Sequence, residues 1–303
     1  MRLFIIYFSI LICVATLLTE TYLRYIGLGD PVRYDSNLMY GYAPKINQKK
    51  SRLKKATVTI NNLGLRSIND WDNTQKNKIV FFGDSITYGG SYIDDKETFS
   101  HIVCKELNHN LCGNAGVNAY GIINIVMRSK YDHRLKNISK YIFLVAPGDF
   151  YREYADANTA HFYLNNYDFI LPSTLEALSF FSTKYDINNF LSKKNDTKVY
   201  QNKKELIDYS INLLFDEIYR LKKLNKEVYL LYTIERDDKF SQKEINSYIL
   251  EKIKDHNFEN FFSLEKTLNN DDYFYDNVHY NEKGHNVVAQ EIISILKKRD
   301  YNN

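Results

Sequence analysis

From Lys78 onward, short apolar runs alternate with longer stretches whose apolar residues recur every three to four positions. The short runs are KIVFF (Lys78 to Phe82), LCGNA (Leu111 to Ala115), YIFLVA (Tyr141 to Ala146), EVYLLYT (Glu227 to Thr233) and FFSL (Phe261 to Leu264). Near-continuous apolar strands separated by amphipathic helices predict a parallel sheet covered on both faces. Ile207, Ile211, Leu214, Ile218 and Leu221 mark the apolar stripe of one helix, and Val288, Ile292 and Ile295 that of another near the end. The expected fold class is therefore α/β, a three-layer α/β/α sandwich built on five parallel strands and occupying residues 78–303.

Three stretches break this rhythm. Between Leu3 and Thr19 no charged residue occurs, and the run is apolar enough to cross a bilayer at the short end of the usual length range. Leu17-Leu18-Thr19-Glu20-Thr21 lacks the small residues of a cleavage site. We therefore expect an uncleaved single-pass transmembrane anchor over residues 1–20, with a cleaved signal or a buried helix as alternatives. The main domain is expected outside the cytoplasm, in a periplasm or at a cell surface. Residues 21–77 read as a connecting and capping segment with a turn-prone YGYAPK. Its basic run of Lys49, Lys50, Arg52, Lys54 and Lys55 reads as a solvated face, or else as a surface resting on anionic headgroups. An insertion at about residues 150–202 is too long for an ordinary connection. Its aromatics Phe162, Tyr163, Phe169, Phe180 and Phe181 are candidates to line a cleft or to pack the insertion onto the domain.

Composition narrows the picture further. With 303 residues, 44% of them hydrophobic and 25% charged, the chain can bury a full core. Its 40 basic and 37 acidic residues are spread along the sequence and leave a formal charge of +3, so no nucleic-acid partner is expected. The seven histidines show no metal-ligand spacing, and neither a Walker A sequence nor a dinucleotide fingerprint occurs, so neither metal nor cofactor is expected. With Cys13 in the apolar run, Cys104 and Cys112 remain as a disulfide in an oxidising compartment or as two buried thiols.

Candidate chemistry stands at the two ends of the α/β region. Gly83-Asp84-Ser85-Ile86-Thr87-Tyr88-Gly89 follows the first strand, where open α/β sheets meet their ligands. Small neighbours let the backbone turn sharply and let a serine hydroxyl project. Asp276-Asn277-Val278-His279 precedes the last helix. Acyl transfer needs a base to take the serine proton and a carboxylate to orient that base. Ser85, His279 and Asp276 supply this set jointly; singly, the aspartate would read as a cap and the histidine as solvated.

GDSITYG, then NAGVNAYG, then a strand ending in a polar turn, then DNVHYNEKGH before a terminal helix resembles the SGNH or GDSL hydrolase family over roughly Lys78 to Lys298. The resemblance implies a flavodoxin-like sheet with Ser85 as nucleophile, His279 as general base and Asp276 as its orienting partner. It implies an oxyanion hole made by the Ser85 and Ala119 backbone amides. Two positions depart from the family pattern. Ala119 falls where the family has a glycine, and Ala146-Pro147-Gly148-Asp149 falls where it has glycine, any residue, then Asn-Asp, so Gly148 replaces a donor side chain. Asn118 is a nearby substitute donor, Asp149 reads as a cap, and His285 as a structural residue reaching a backbone group. The anchor and the YGYAPK and NNLGLR segments resemble those of membrane-tethered members linked to cell-surface polysaccharide. The implied substrate is an ester, such as an O-acetyl group on a surface glycan. An O-acyltransferase with the same triad, or a catalytically weak glycan-binding or assembly protein, are the alternatives.

Overall fold

The computed structural model describes residues 1–72, 74–108, 111–156, 173–178, 199–236 and 240–300. Five parallel strands form the central sheet: β5 (Lys78–Phe82), β6 (Cys112–Asn114), β7 (Ile138–Val145), β8 (Glu227–Tyr232) and β9 (Phe261–Ser263), in the order β6-β5-β7-β8-β9. All five expected runs are strands. Their ends move where side chains decide them: β7 begins three residues earlier than the apolar run, because Ile138 is buried and pairs with Lys78.

Helices cover both faces. On one side lie α4 (Ile122–Tyr131), α5 (Val199–Lys223) and α6 (Phe240–Asp255). The stripe Ile207, Ile211, Leu214, Ile218, Leu221 is buried there against Val80, Phe82 and Phe143. On the other side α3 (Phe99–Glu106) and α7 (Glu282–Asp300) bury Val103, Val288 and Ile292 against Phe81, Ile142 and Leu144. The three-layer α/β/α sandwich is thus present. Successive β5 residues feed opposite cores, as strand geometry requires. The strand order reverses between β5 and β7, the switch point at which open sheets present a crevice beyond their carboxyl ends.

Residues ahead of the sheet form two antiparallel hairpins, β1 (Tyr34–Asn37) with β2 (Gly41–Pro44) and β3 (Gln48–Arg52) with β4 (Ala56–Ile60). Arg66 then bridges Asn114 at the sheet's edge. Cys104 and Cys112 form a disulfide that ties the end of α3 to β6. Within the basic run, Lys49, Lys54 and Lys55 are exposed, but Arg52 is buried: it pairs with Glu176 and donates to the Gly27 carbonyl at 2.6 Å. The solvated-face reading fails there because a guanidinium can satisfy a carboxylate and a carbonyl at once.

Ahead of these hairpins, α1 (Arg2–Tyr25) has 24 residues, long and apolar enough to cross a membrane. Its apolar side chains from Leu3 to Leu18 are largely exposed. Its last turns dock on the body through Glu20, which accepts from the Ser173 and Thr174 amides at 3.3 and 3.2 Å. Residues 173–178, described within the insertion, are helical, and its last residues belong to the start of α5. Phe162, Tyr163, Phe169, Phe180 and Phe181 lie outside the described residues.

Candidate active site

Ser85 opens the short helix α2 (Ser85–Tyr88) directly after β5. Asp84 caps it, its side chain accepting from the Ile86 amide at 2.8 Å. Gly83 makes the turn possible: a Cβ there would stand 2.4 Å from the Leu144 carbonyl oxygen on the neighbouring strand, closer than any side chain tolerates. Behind α2, Arg66 is buried and donates to the Tyr88 and Gly90 carbonyls at 2.8 and 2.7 Å while pairing with Asp95 at 2.9 Å. The turn carrying the serine is therefore held from both ends.

The partner loop is built on local hydrogen bonds. Asp276 Oδ1 accepts from the Val278 and His279 amides at 2.8 and 2.7 Å, and the Tyr275 amide donates to the His279 carbonyl at 2.7 Å. This tight loop leaves Asp276 Oδ2 free to accept from His279 Nδ1 at 2.8 Å. On the other side of the ring, His279 Nε2 meets Ser85 Oγ at 2.9 Å. The network assigns the proton to Nδ1 and leaves Nε2 to accept from the hydroxyl. Three residues separated by up to 194 positions thus form one continuous hydrogen-bonded chain. The His279 and Asp276 side chains are 28% and 40% exposed, so the chain opens to solvent.

Burial opposes charge on His279, but the Asp276 hydrogen bond and charge outweigh it and raise the imidazole's pKa above its ordinary value. Burial likewise opposes charge on Asp276, and the His279 contact and the two amides outweigh it and lower its pKa. Both shifts favour the imidazolium-carboxylate form that a general base adopts once it has taken a proton.

Ala119 has φ +63°, a left-handed conformation an alanine adopts only under constraint. Among the described residues, the Ser85 and Ala119 amides are bonded to no other group. Asn118 is turned away from the substitute role: its Nδ2 is directed at the Tyr34 hydroxyl at 3.4 Å, and its carbonyl accepts from Tyr42. Asp149 caps the turn Pro147–Phe150, accepting from the Ala146 amide at 2.9 Å, as expected. Burial and then the Asp84 charge push the Asp149 carboxyl well above the usual range. His285 is buried and accepts from the Phe99 amide at 3.2 Å, the structural role anticipated for it. Burial, then Arg66 and His279, hold its pKa down to about 3.

Two side chains at the site carry no motif in the sequence. Glu235, just after β8, accepts from the Gly148 amide at 3.0 Å, and burial raises its pKa. Arg152 pairs with Asp149 at 3.1 Å and Asp84 at 3.5 Å. Only the topology brings them together. The one signal available was proximity, since Arg152 stands four residues after the departure at Gly148. Among the described residues no group of three or more His, Cys, Asp or Glu could hold a metal.

No family model and no curated protein matches this chain. Solved structures similar to it include a lipase/acylhydrolase from Enterococcus faecalis, 15% identical, with a TM-score of 0.43 over 74% of this chain and 96% of that one. Another is a member of the lipolytic protein G-D-S-L family from Veillonella parvula, 15% identical, with a TM-score of 0.41 over 73% and 98%. A third is a catalytic mutant of an acetylxylan esterase from Geobacillus stearothermophilus, 14% identical, with a TM-score of 0.45 over 72% and 93%.

Proposed function

We propose that this chain is a membrane-anchored serine esterase, and one observation carries the reading: the unbroken chain from Ser85 Oγ through His279 to Asp276, at 2.9 and 2.8 Å. Both contacts are within the range for proton transfer in a resting site. Ser85 Oγ attacks the ester carbonyl as His279 Nε2 takes its proton, and Asp276 steadies the resulting imidazolium. The oxyanion is held by the Ser85 and Ala119 amides. Collapse breaks the ester C–O bond, the alcohol leaves with the proton from His279, and an acyl-serine remains. Water, deprotonated by the same imidazole, then releases the acid and restores the hydroxyl.

The finer substrate, an O-acetyl group on a surface glycan, follows from the sequence resemblance rather than from a feature of the site. The extracytoplasmic location is supported by α1 and by the Cys104–Cys112 bond, since structural disulfides persist in oxidising compartments.

The test compares the full chain in detergent with Ser85→Ala, using a fluorophosphonate probe and p-nitrophenyl acetate. Wild type is expected to be labelled at Ser85 and to hydrolyse the ester at least a thousandfold faster than the variant, on the order of what a triad member contributes. An unlabelled wild type no faster than Ser85→Ala would sink the esterase reading.

A further inference from the structure

Gly148 stands where the resemblance implies a donor side chain, yet the space beside it is filled. A Cβ at this position would lie 2.6 Å from Glu235 Oε1 and 3.6 Å from Arg152 Nη2. Glycine is thus what admits the Glu235 carboxylate, which in turn accepts the Gly148 N–H.

Arg152 reaches the same spot by a defined route. Gly121 lets its backbone come close, since a Cβ there would meet the Arg152 carbonyl oxygen at 2.8 Å and the Arg152 Cβ at 3.1 Å. Its Nη1 donates to Asp149 Oδ1 at 3.1 Å, to Asp84 Oδ2 at 3.5 Å and to the Tyr120 carbonyl. These acceptors belong to the loops after β7, β5 and β6, the three loops that surround Ser85. The side chain is 35% exposed, and among the described residues Nη2 has no hydrogen-bond partner. By standard bond lengths an asparagine amide nitrogen stands roughly 2.5 Å from its own Cβ. Nη2, 3.6 Å from that Cβ, therefore stands roughly 1 to 6 Å from such an amide, according to the asparagine rotamer.

We propose that Arg152 takes the place of that asparagine, donating an Nη2 hydrogen bond to the oxyanion that forms on Ser85 while Glu235 fills the remainder of the gap. This deepens the esterase reading and rests on it. Asp84 and Asp149 hold the guanidinium by Nη1 and leave Nη2 to face the substrate. The group stays protonated throughout and contributes a charge-assisted hydrogen bond, not a proton.

The test uses the full chain in detergent and measures fluorophosphonate labelling and p-nitrophenyl acetate hydrolysis, with melting temperatures recorded for each variant. Arg152→Gln and Arg152→Lys are expected to lose about a hundred- to a thousandfold in kcat with KM changed little, the usual cost of one oxyanion donor. Lysine keeps the charge but not the fork, so its loss separates hydrogen bonding from simple neutralisation of the carboxylates. The triple variant Arg152→Gln, Gly148→Asn, Glu235→Ala restores an asparagine with room to stand and is expected to regain at least about tenfold over Arg152→Gln. Arg152 variants as fast as wild type, or a triple variant no faster than Arg152→Gln, would overturn the proposal while a labelled wild type leaves the esterase reading intact. A wild type unlabelled at Ser85 overturns both.

Discussion

At the scale of single residues, the site is a set of opposed tendencies settled by distance. His279 lies largely inside the protein, which disfavours its charged form, yet a carboxylate at 2.8 Å reverses the outcome. The sign follows directly: with the imidazole pKa raised, the neutral base needed for attack is depleted as pH falls through a value above about 6.5. We expect kcat/KM for p-nitrophenyl acetate to decline on that acidic side. Asp276→Asn is expected to lower the rate about ten-thousandfold and to move the midpoint down, since the raising contact is gone. A midpoint that stays in place would show that Asp276 does not set the base. His285, only six residues from His279, shows the opposite balance: fully buried and, among the described residues, with no carboxylate partner, it remains neutral. The family resemblance implies different roles for the two histidines of one DNVHYNEKGH block, and their surroundings supply the physical reason.

At the scale of elements, what was legible was what repeats. The apolar runs gave all five strands because a strand buried on both faces must be apolar along its length, and the stripe from Ile207 to Leu221 gave α5 because one helix face is buried. Ser85, Asp276 and His279 were legible because a short turn and a tight local loop fix them at fixed spacings. Ala119 was legible as a position, but not its left-handed backbone. Arg152 and Glu235 were not legible, because each lies on a different loop and the contact at Gly148 that joins them depends on the pairing of β7 with β8. Arg52 was misread for the same reason, its partner Glu176 being 124 residues away. The disulfide was left open by the sequence and is closed in the structure. It joins residues eight apart, and by loop-closure entropy its loss should cost about 2–3 kcal/mol. Thermal melting of the Cys104→Ser, Cys112→Ser variant, with and without reductant, checks this: a lowered melting temperature insensitive to reductant is expected, and an unchanged one would show that the α3–β6 corner is held by packing alone.

At the scale of the whole molecule, α1 extends an apolar surface that the other described residues leave largely exposed. Twenty-four helical residues span about 36 Å, enough for a hydrocarbon core of about 30 Å. The full chain is expected to remain in the membrane pellet through an alkaline carbonate wash; recovery in the supernatant would rule out a spanning anchor. The segment between α1 and the sheet is more than a spacer. Arg66, on that segment, grips the backbone immediately behind the serine turn, so the support of that turn begins well before β5. The grip also makes the segment's length and path part of the candidate site's own architecture. Insertions tolerated in a free tether would here pull on the carbonyls of Tyr88 and Gly90, so the path from α1 to the Ser85 turn is set by packing and not by slack.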